Sequence, residues 1–340
     1  MKNKFISILV LVLALILPLS LISCKKDTKQ KDLVKIRLNE VTRSVFYAPM
    51  YAAINKGFFK EEGLDIDLST GQGADKTIQQ VISGGAEIGF CGPEQVIYIY
   101  NQQRENYPIV FAQLTQKDGS FIVGRQPETN FKWESLKGKT LVGGRPGGMP
   151  EMSLEYVLRS KGLEPGKDVD VITNIAFAAT TGAFKGGTGD YVALFEPNGS
   201  MLTKEKAGYI VESVGKSAGT IPYTCFMATK EYIDKNPDLI EKFTRAIYKG
   251  QKWVLSASDE EVAKAIISFF PGTDEDILIN VTKNYRSIDA FAPTPSIKEQ
   301  DFIRLMDIIQ SYKADLIPQR PPFNNIVTNK FADKVVKDLK

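Results

Sequence analysis

Hydrophobic and polar positions alternate in two distinct rhythms along the chain. Ile36–Leu38 and Leu64–Leu68 (LDIDL) show the period of two expected of strands. Between them, Pro49–Lys60 (PMYAAINKGFFK) has helical apolar spacing and runs up to Gly63, so the three segments predict a β-α-β unit. A turn at Gly71-Gln72-Gly73, a helix over Asp75–Ile82, a break at Ser83-Gly84-Gly85 and a short strand over Glu87–Phe90 continue the pattern. A second series of the same kind follows: strands at Phe121–Val123, Thr140–Gly143, Val169–Thr173 and Tyr191–Phe195, with helices over Pro150–Lys161 and Thr180–Phe184. Strands alternating with helices predict a mainly parallel α/β sheet in each series. From Tyr223 a strand (YTCFMAT) leads into a helical C-terminal third, with helices over Pro237–Leu255, Glu260–Phe269, Glu275–Tyr285 and Ile297–Tyr312. No short tandem repeat interrupts this organisation.

The first residues have a different pattern. Lys2 and Lys4 precede a largely apolar run from Phe5 to Leu17, then Pro18 and Leu21-Ile22-Ser23-Cys24, which reads as an export signal over residues 1–23. The alternative, an uncleaved anchor, needs roughly 20 apolar residues without interruption. Residues 24–35, polar and Lys-rich, read as a tether. The expected localisation is extracytoplasmic.

Composition narrows the chemistry. With 340 residues and 43% hydrophobic positions, the chain can build one large or two medium cores. A formal net charge of +3, spread rather than clustered, removes the electrostatic support for nucleic-acid binding. The chain contains 0 His, so it can have no Ser-His-Asp triad, Cys-His dyad or His-ligated metal. The string Gly215-Lys216-Ser217-Ala218-Gly219 matches a nucleophile elbow but has no histidine to take the serine proton. Beyond Cys24 only Cys91 and Cys225 remain, so no disulfide framework holds the fold. What is left is a set of Gly-rich turns between strands and helices: Gly71–Asp75, Cys91-Gly92-Pro93-Glu94 and Arg145-Pro146-Gly147-Gly148-Met149-Pro150. Such turns offer free N–H groups at helix starts to a small ligand.

The stretch Phe46–Asp65 (FYAPMYAAINKGFFKEEGLD) resembles the first β-α unit of the nitrate/sulfonate/taurine and thiamine-precursor group of ABC-importer solute-binding proteins. Ser83–Gly89 (SGGAEIG), Leu136–Thr140 (LKGKT) and Lys235–Leu239 (KNPDL) resemble later motifs of the same group, in the same order. Leu-Ile-Ser before Cys24 resembles a bacterial lipobox, with Cys24 as the lipidated N-terminus. The resemblance implies a two-lobed type II periplasmic-binding-protein fold with two crossovers and a helical C-terminal third. Lobe I is expected over 36–116 and 223–340, lobe II over 117–222. It further implies a non-enzymatic monomer without cofactors, lipid-anchored at the membrane, that hands a small solute to a permease and ATPase. Carried over residue by residue, the ligand positions are Ser44, Phe46, Tyr47, Gly73, Ala74, Cys91, Gly92 and Glu94 in the first lobe. Arg145, Gly147, Gly148, Met149, Glu196 and Tyr223 complete them.

The expected ligand is a sulfonate- or taurine-like anion, met by Arg side chains and amides. The alternative is an aromatic heterocycle such as a thiamine-precursor pyrimidine, stacked on Phe46, Tyr47 and Tyr223. The pyrimidine binders' Asp-Trp-x-Pro-Asn run is replaced here by Asn39-Glu40-Val41-Thr42-Arg43. Two further alternatives are a soft-metal binder using Cys91 and Cys225 with Met149 or Met227, and an extracytoplasmic hydrolase working through a carboxylate pair.

Overall fold

The computed structural model describes residues 33–339; the export signal, Cys24 and most of the tether lie outside the described residues. Among the described residues, ten strands form two five-stranded sheets. The first, in the order β2-β1-β3-β10-β4, takes β1 (Val34–Glu40), β2 (Leu64–Thr70), β3 (Ile88–Cys91), β4 (Pro108–Thr115) and β10 (Thr224–Thr229). The second, in the order β7-β6-β8-β5-β9, takes β5 (Ser120–Gly124), β6 (Thr140–Val142), β7 (Asp170–Ile172), β8 (Tyr191–Phe195) and β9 (Tyr209–Ser213).

The chain therefore leaves the first sheet after β4, builds the whole second sheet, and returns through β10. Each crossing delivers a strand that runs against its neighbours. β1 pairs in parallel with β2 and β3, whereas β10 is antiparallel to both β3 and β4. In the second sheet β6 is parallel to β7 and β8, while β5 is antiparallel to β8 and β9. The expectation of mainly parallel sheets holds for the β-α-β stretches. It fails at the crossings, because a strand entered directly from the other lobe has no crossover helix to return it to the same sense.

The helix predicted over Pro49–Lys60 is two helices, Ala48–Asn55 and Phe58–Glu61, separated at Gly57, whose φ of 81° leaves the helical region. Strand β4, absent from the sequence prediction, is buried at all eight positions. It lies at the edge of its sheet, and the C-terminal third covers it: Thr328 N–H donates to the Val110 carbonyl and Ala292 N–H to that of Leu114. The long helix Pro237–Ser256 packs on Ala48–Asn55 at Gly250, where a Cβ would stand 2.3 Å from the Pro49 carbonyl oxygen. Among the described residues no helix is long and apolar enough to cross a membrane.

Candidate functional site

The C-terminal ends of β1 and β3 point toward the second sheet, and the predicted first-lobe residues gather there. Ser44 caps a single 3-10 turn, Val45–Tyr47, by accepting from the Phe46 N–H at 3.2 Å. Its hydroxyl also donates to the Glu196 carbonyl of the second lobe at 3.4 Å. The turn projects two rings. Phe46, fully buried, lies 5.7 Å from Tyr223, 5.9 Å from Phe195 and 4.8 Å from Tyr285, centroid to centroid. Tyr47 packs edge-on against Phe90 at 4.6 Å. Phe46 thus joins both lobes and the returning crossover in one aromatic cluster.

The turn after β3 is shaped by Gly92. A Cβ there would lie 1.9 Å from Glu94 Oε2, so only glycine lets the Glu94 carboxylate fold back over the turn. Gln95 Nε2 donates to Glu94 Oε1 at 3.1 Å, while Oε2, buried, has no partner. Burial pushes this carboxyl above its ordinary range, opposed by its own hydrogen bonds and by the Arg145 charge. The Glu94 charge in turn bears on Tyr47, Tyr98, Tyr223 and both thiols, which places it at the centre of the seam.

Gly73 and Ala74 open the helix Ala74–Ile82, and the Gly147 turn opens the helix Met149–Ser160 opposite. The two starts meet across the rim: Arg145 Nη2 stands 3.4 Å from Asp75 Oδ1, and the Tyr98 hydroxyl lies 3.5 Å from the Gly147 carbonyl. Arg145 is half exposed, Gly148 and Met149 are buried. A groove of about 480 Å³ beside this rim is lined by Asn39, Thr70, Gly71, Asp75, Lys76, Gln79 and Gln80. The aromatic seam itself is shut, with Phe46, Tyr47, Glu94 and Tyr223 all 5% exposed or less, so a molecule reaches it only when the lobes part.

The strongest polar feature of the seam was not among the expected residues. Asp118 lies on the first crossover and is fully buried. Ser120 donates both its N–H, at 2.7 Å, and its hydroxyl to Oδ1, which fixes the carboxylate. The second crossover packs directly on the first: a Cβ on Gly215 would lie 2.0 Å from the Asp118 carbonyl oxygen. Burial raises Asp118 to about 6, opposed by Ser120, Tyr223 and Ser153. The Tyr223 hydroxyl, on the second crossover, and the Ser153 hydroxyl are buried and face this same carboxylate. Glu151, on the same helix as Ser153, keeps an unpartnered Oε2 and is pushed to about 7 by burial and then by the Glu155 charge. Along the seam, then, Asp118 faces the Tyr223 and Ser153 hydroxyls, and Glu94 keeps a buried Oε2 with no partner.

One expected position, Glu196, is already bonded within the fold. Both Glu196 carboxylate oxygens are taken: Ser200 donates its N–H and its hydroxyl, each at 2.7 Å, and Asn284 Nδ2 donates at 2.6 Å. Glu196 ties the second lobe to the C-terminal helix Glu275–Ser287. Cys91 and Cys225 are fully buried free thiols in register on β3 and β10. Asp118, Glu151 and Ser153 carry no sequence signal of their own; Lys117-Asp118-Gly119-Ser120 has the composition of an exposed turn.

Two α/β lobes joined by two crossovers around a closed seam define a type II periplasmic-binding-protein fold. The likeness extends to the solved alkanesulfonate-binding protein SsuA of Xanthomonas axonopodis pv. citri, bound to MOPS. The TM-score is 0.69 over 87% of this chain and 99% of that one, at 14% identity. A family model described as NMT1/THI5 like matches residues 45–261, and the chain belongs to this family. It is 43% identical over 325 residues to YtlA of Bacillus subtilis strain 168, which bears the name of a binding protein, covering 96% of both chains. It is also 21% identical over 288 residues to THI13 of Saccharomyces cerevisiae S288c, named a 4-amino-5-hydroxymethyl-2-methylpyrimidine phosphate synthase. That match covers 76% of this chain and 82% of the yeast protein.

Proposed function

We propose that this protein is the extracytoplasmic solute-binding component of an ABC importer, and that its solute is a small nitrogen heterocycle rich in N–H donors. The fold and the relatives named as binding proteins support the first part. The observation that carries the second is the pair of buried carboxylates beside the aromatic cluster, Asp118 and Glu94, the latter with an unpartnered Oε2. A buried carboxylate oxygen gains from a donor and repels an anion. The sulfonate-like anion expected from the sequence needs basic side chains, and Arg145 stands at the rim, paired with Asp75. A flat ring between Phe46, Tyr47 and Tyr223, with amino groups toward Glu94 and Asp118, satisfies both the aromatic walls and the buried acceptors.

In this reading lobe I comprises 36–116 and 223–340 and lobe II 117–222, and the lobes close on the solute by a hinge at Asp118 and Tyr223. Cys24 carries the lipid and residues 24–35 span from membrane to body. The protein captures and does not convert; the synthase name of the yeast relative belongs to that protein. The test is calorimetric titration of the mature chain against aminopyrimidines, taurine, alkanesulfonates and nitrate. Stoichiometric binding of an aminopyrimidine, weakened about 10–100-fold by Glu94→Gln and by Asp118→Asn, is the expected result. Preferential binding of a sulfonate or nitrate overturns the ligand class, and turnover of a bound molecule overturns the transport reading.

A further inference from the structure

Behind the seam, three sulfur atoms share one face of the first sheet. Cys91 on β3 is the register partner of Cys225 on β10, and Met227, two residues on, faces Gly89. Side chains at spacing two lie on the same side of a strand, so Cys91, Cys225 and Met227 project together. The Gly89 position identifies that side: a Cβ there would meet Val81, Met227 and Thr77, placing the face beneath the helix Ala74–Ile82. Cys91 Sγ lies 3.6 Å from Met227 Sδ. Both thiols and the thioether are fully buried, and no disulfide joins the cysteines.

We propose that Cys91, Cys225 and Met227 form a binding site for a soft d10 cation, for which Cu(I) is the probe. With metal–sulfur bonds of about 2.3 Å, two sulfurs 3.6 Å apart subtend about 100° at a shared ion. Opening by a few tenths of an ångström brings that angle to a trigonal arrangement. Thiolate and thioether donors select Cu(I) over harder ions. Among the described residues no group of three His, Cys, Asp or Glu is placed to hold a metal, so a harder ion finds no complete donor set; the thioether is the third ligand of this one. Binding replaces two S–H bonds by two Cu–S bonds and releases two protons. Both protons leave to solvent through the parted lobes. No electron is transferred. Occupancy is independent of the solute proposed above.

The experiment is an anaerobic Cu(I) titration of the full mature chain against a chromophoric Cu(I) chelator, without solute. One equivalent bound is expected, with affinity falling by about 100-fold or more in Cys91→Ser and Cys225→Ser and by less in Met227→Leu, since loss of a direct ligand exceeds the roughly 10–100-fold of an outer contact. X-ray absorption of the wild-type Cu(I) form, which needs no variant to fold, is expected to show sulfur-only coordination. Absence of stoichiometric binding overturns the proposal. So do nitrogen or oxygen ligands in the absorption spectrum, binding undiminished in both serine variants, or equal affinity for Zn(II).

Discussion

Replacing Asp118 by Asn isolates the energetic consequence of burying one carboxylate at the junction of the two crossovers. The asparagine keeps the acceptor for the two Ser120 donors and turns the other oxygen into an amide donor, facing hydroxyls able to accept. In the wild-type protein the carboxyl is raised from 3.8 to about 6, with burial the leading cause. The folded state therefore binds this proton more tightly than the unfolded state between those values. A raised acid makes stability fall as pH rises. At 1.36 kcal/mol per pKa unit, the wild type forfeits about 3 kcal/mol between pH 4 and pH 7 through this one group. Asp118→Asn lacks that loss. Urea unfolding of the ligand-free proteins should give matching stabilities near pH 4 and a variant about 3 kcal/mol more stable at pH 7.5. The same variant should bind the solute about 10–100-fold more weakly, the loss of one charge-assisted hydrogen bond. A stability difference that does not change with pH, or a variant less stable at pH 7.5, would show that Asp118 is fully satisfied when ionised and would remove it from the site.

Three further outcomes test other parts of the seam. Gly215→Ala sets a methyl group against the backbone of the first crossover, and a loss of about 1–3 kcal/mol in urea unfolding is expected, together with weaker solute binding. Glu196→Gln turns one acceptor of a buried cap into a donor facing Ser200; about 2 kcal/mol of stability should disappear while solute affinity stays within a factor of three, because that carboxylate is already occupied. Arg145→Ala breaks the rim contact with Asp75, which should leave the unfolding midpoint within about 1 kcal/mol of wild type and raise the rate of solute release in stopped-flow experiments.

The parts of the fold that the sequence reveals are those with one wet face. Strand β2 alternates because its outer side meets solvent, and the helix Pro237–Ser256 shows a clear apolar stripe. Strand β4 (PIVFAQLT) carries no alternation because both of its sides are buried, so periodicity gives no sign of it. Phe46, Tyr47, Tyr223 and Glu94 entered the candidate site through the family resemblance, not through any periodicity of the chain. Asp118 did not enter it, since its burial comes from Gly215 and Tyr223, about a hundred positions away in the chain. Glu196 also came from the resemblance, and only the fold shows the Asn284 amide that bonds its carboxylate.

The placement of β5 beside β9 has a consequence for how such a molecule can be rebuilt. The second sheet begins and ends on neighbouring strands, with Phe121 in register with Ser213, and the two crossovers touch at Asp118 and Gly215. Residues 120–213 are therefore a cassette whose two ends leave side by side. Such a segment can be exchanged between relatives at two adjacent cut points without respacing the host. Because half of the seam travels with the cassette and half stays behind, a chimera would pair the aromatic wall of one parent with the helix-start turn of another, making solute preference a property that can be recombined.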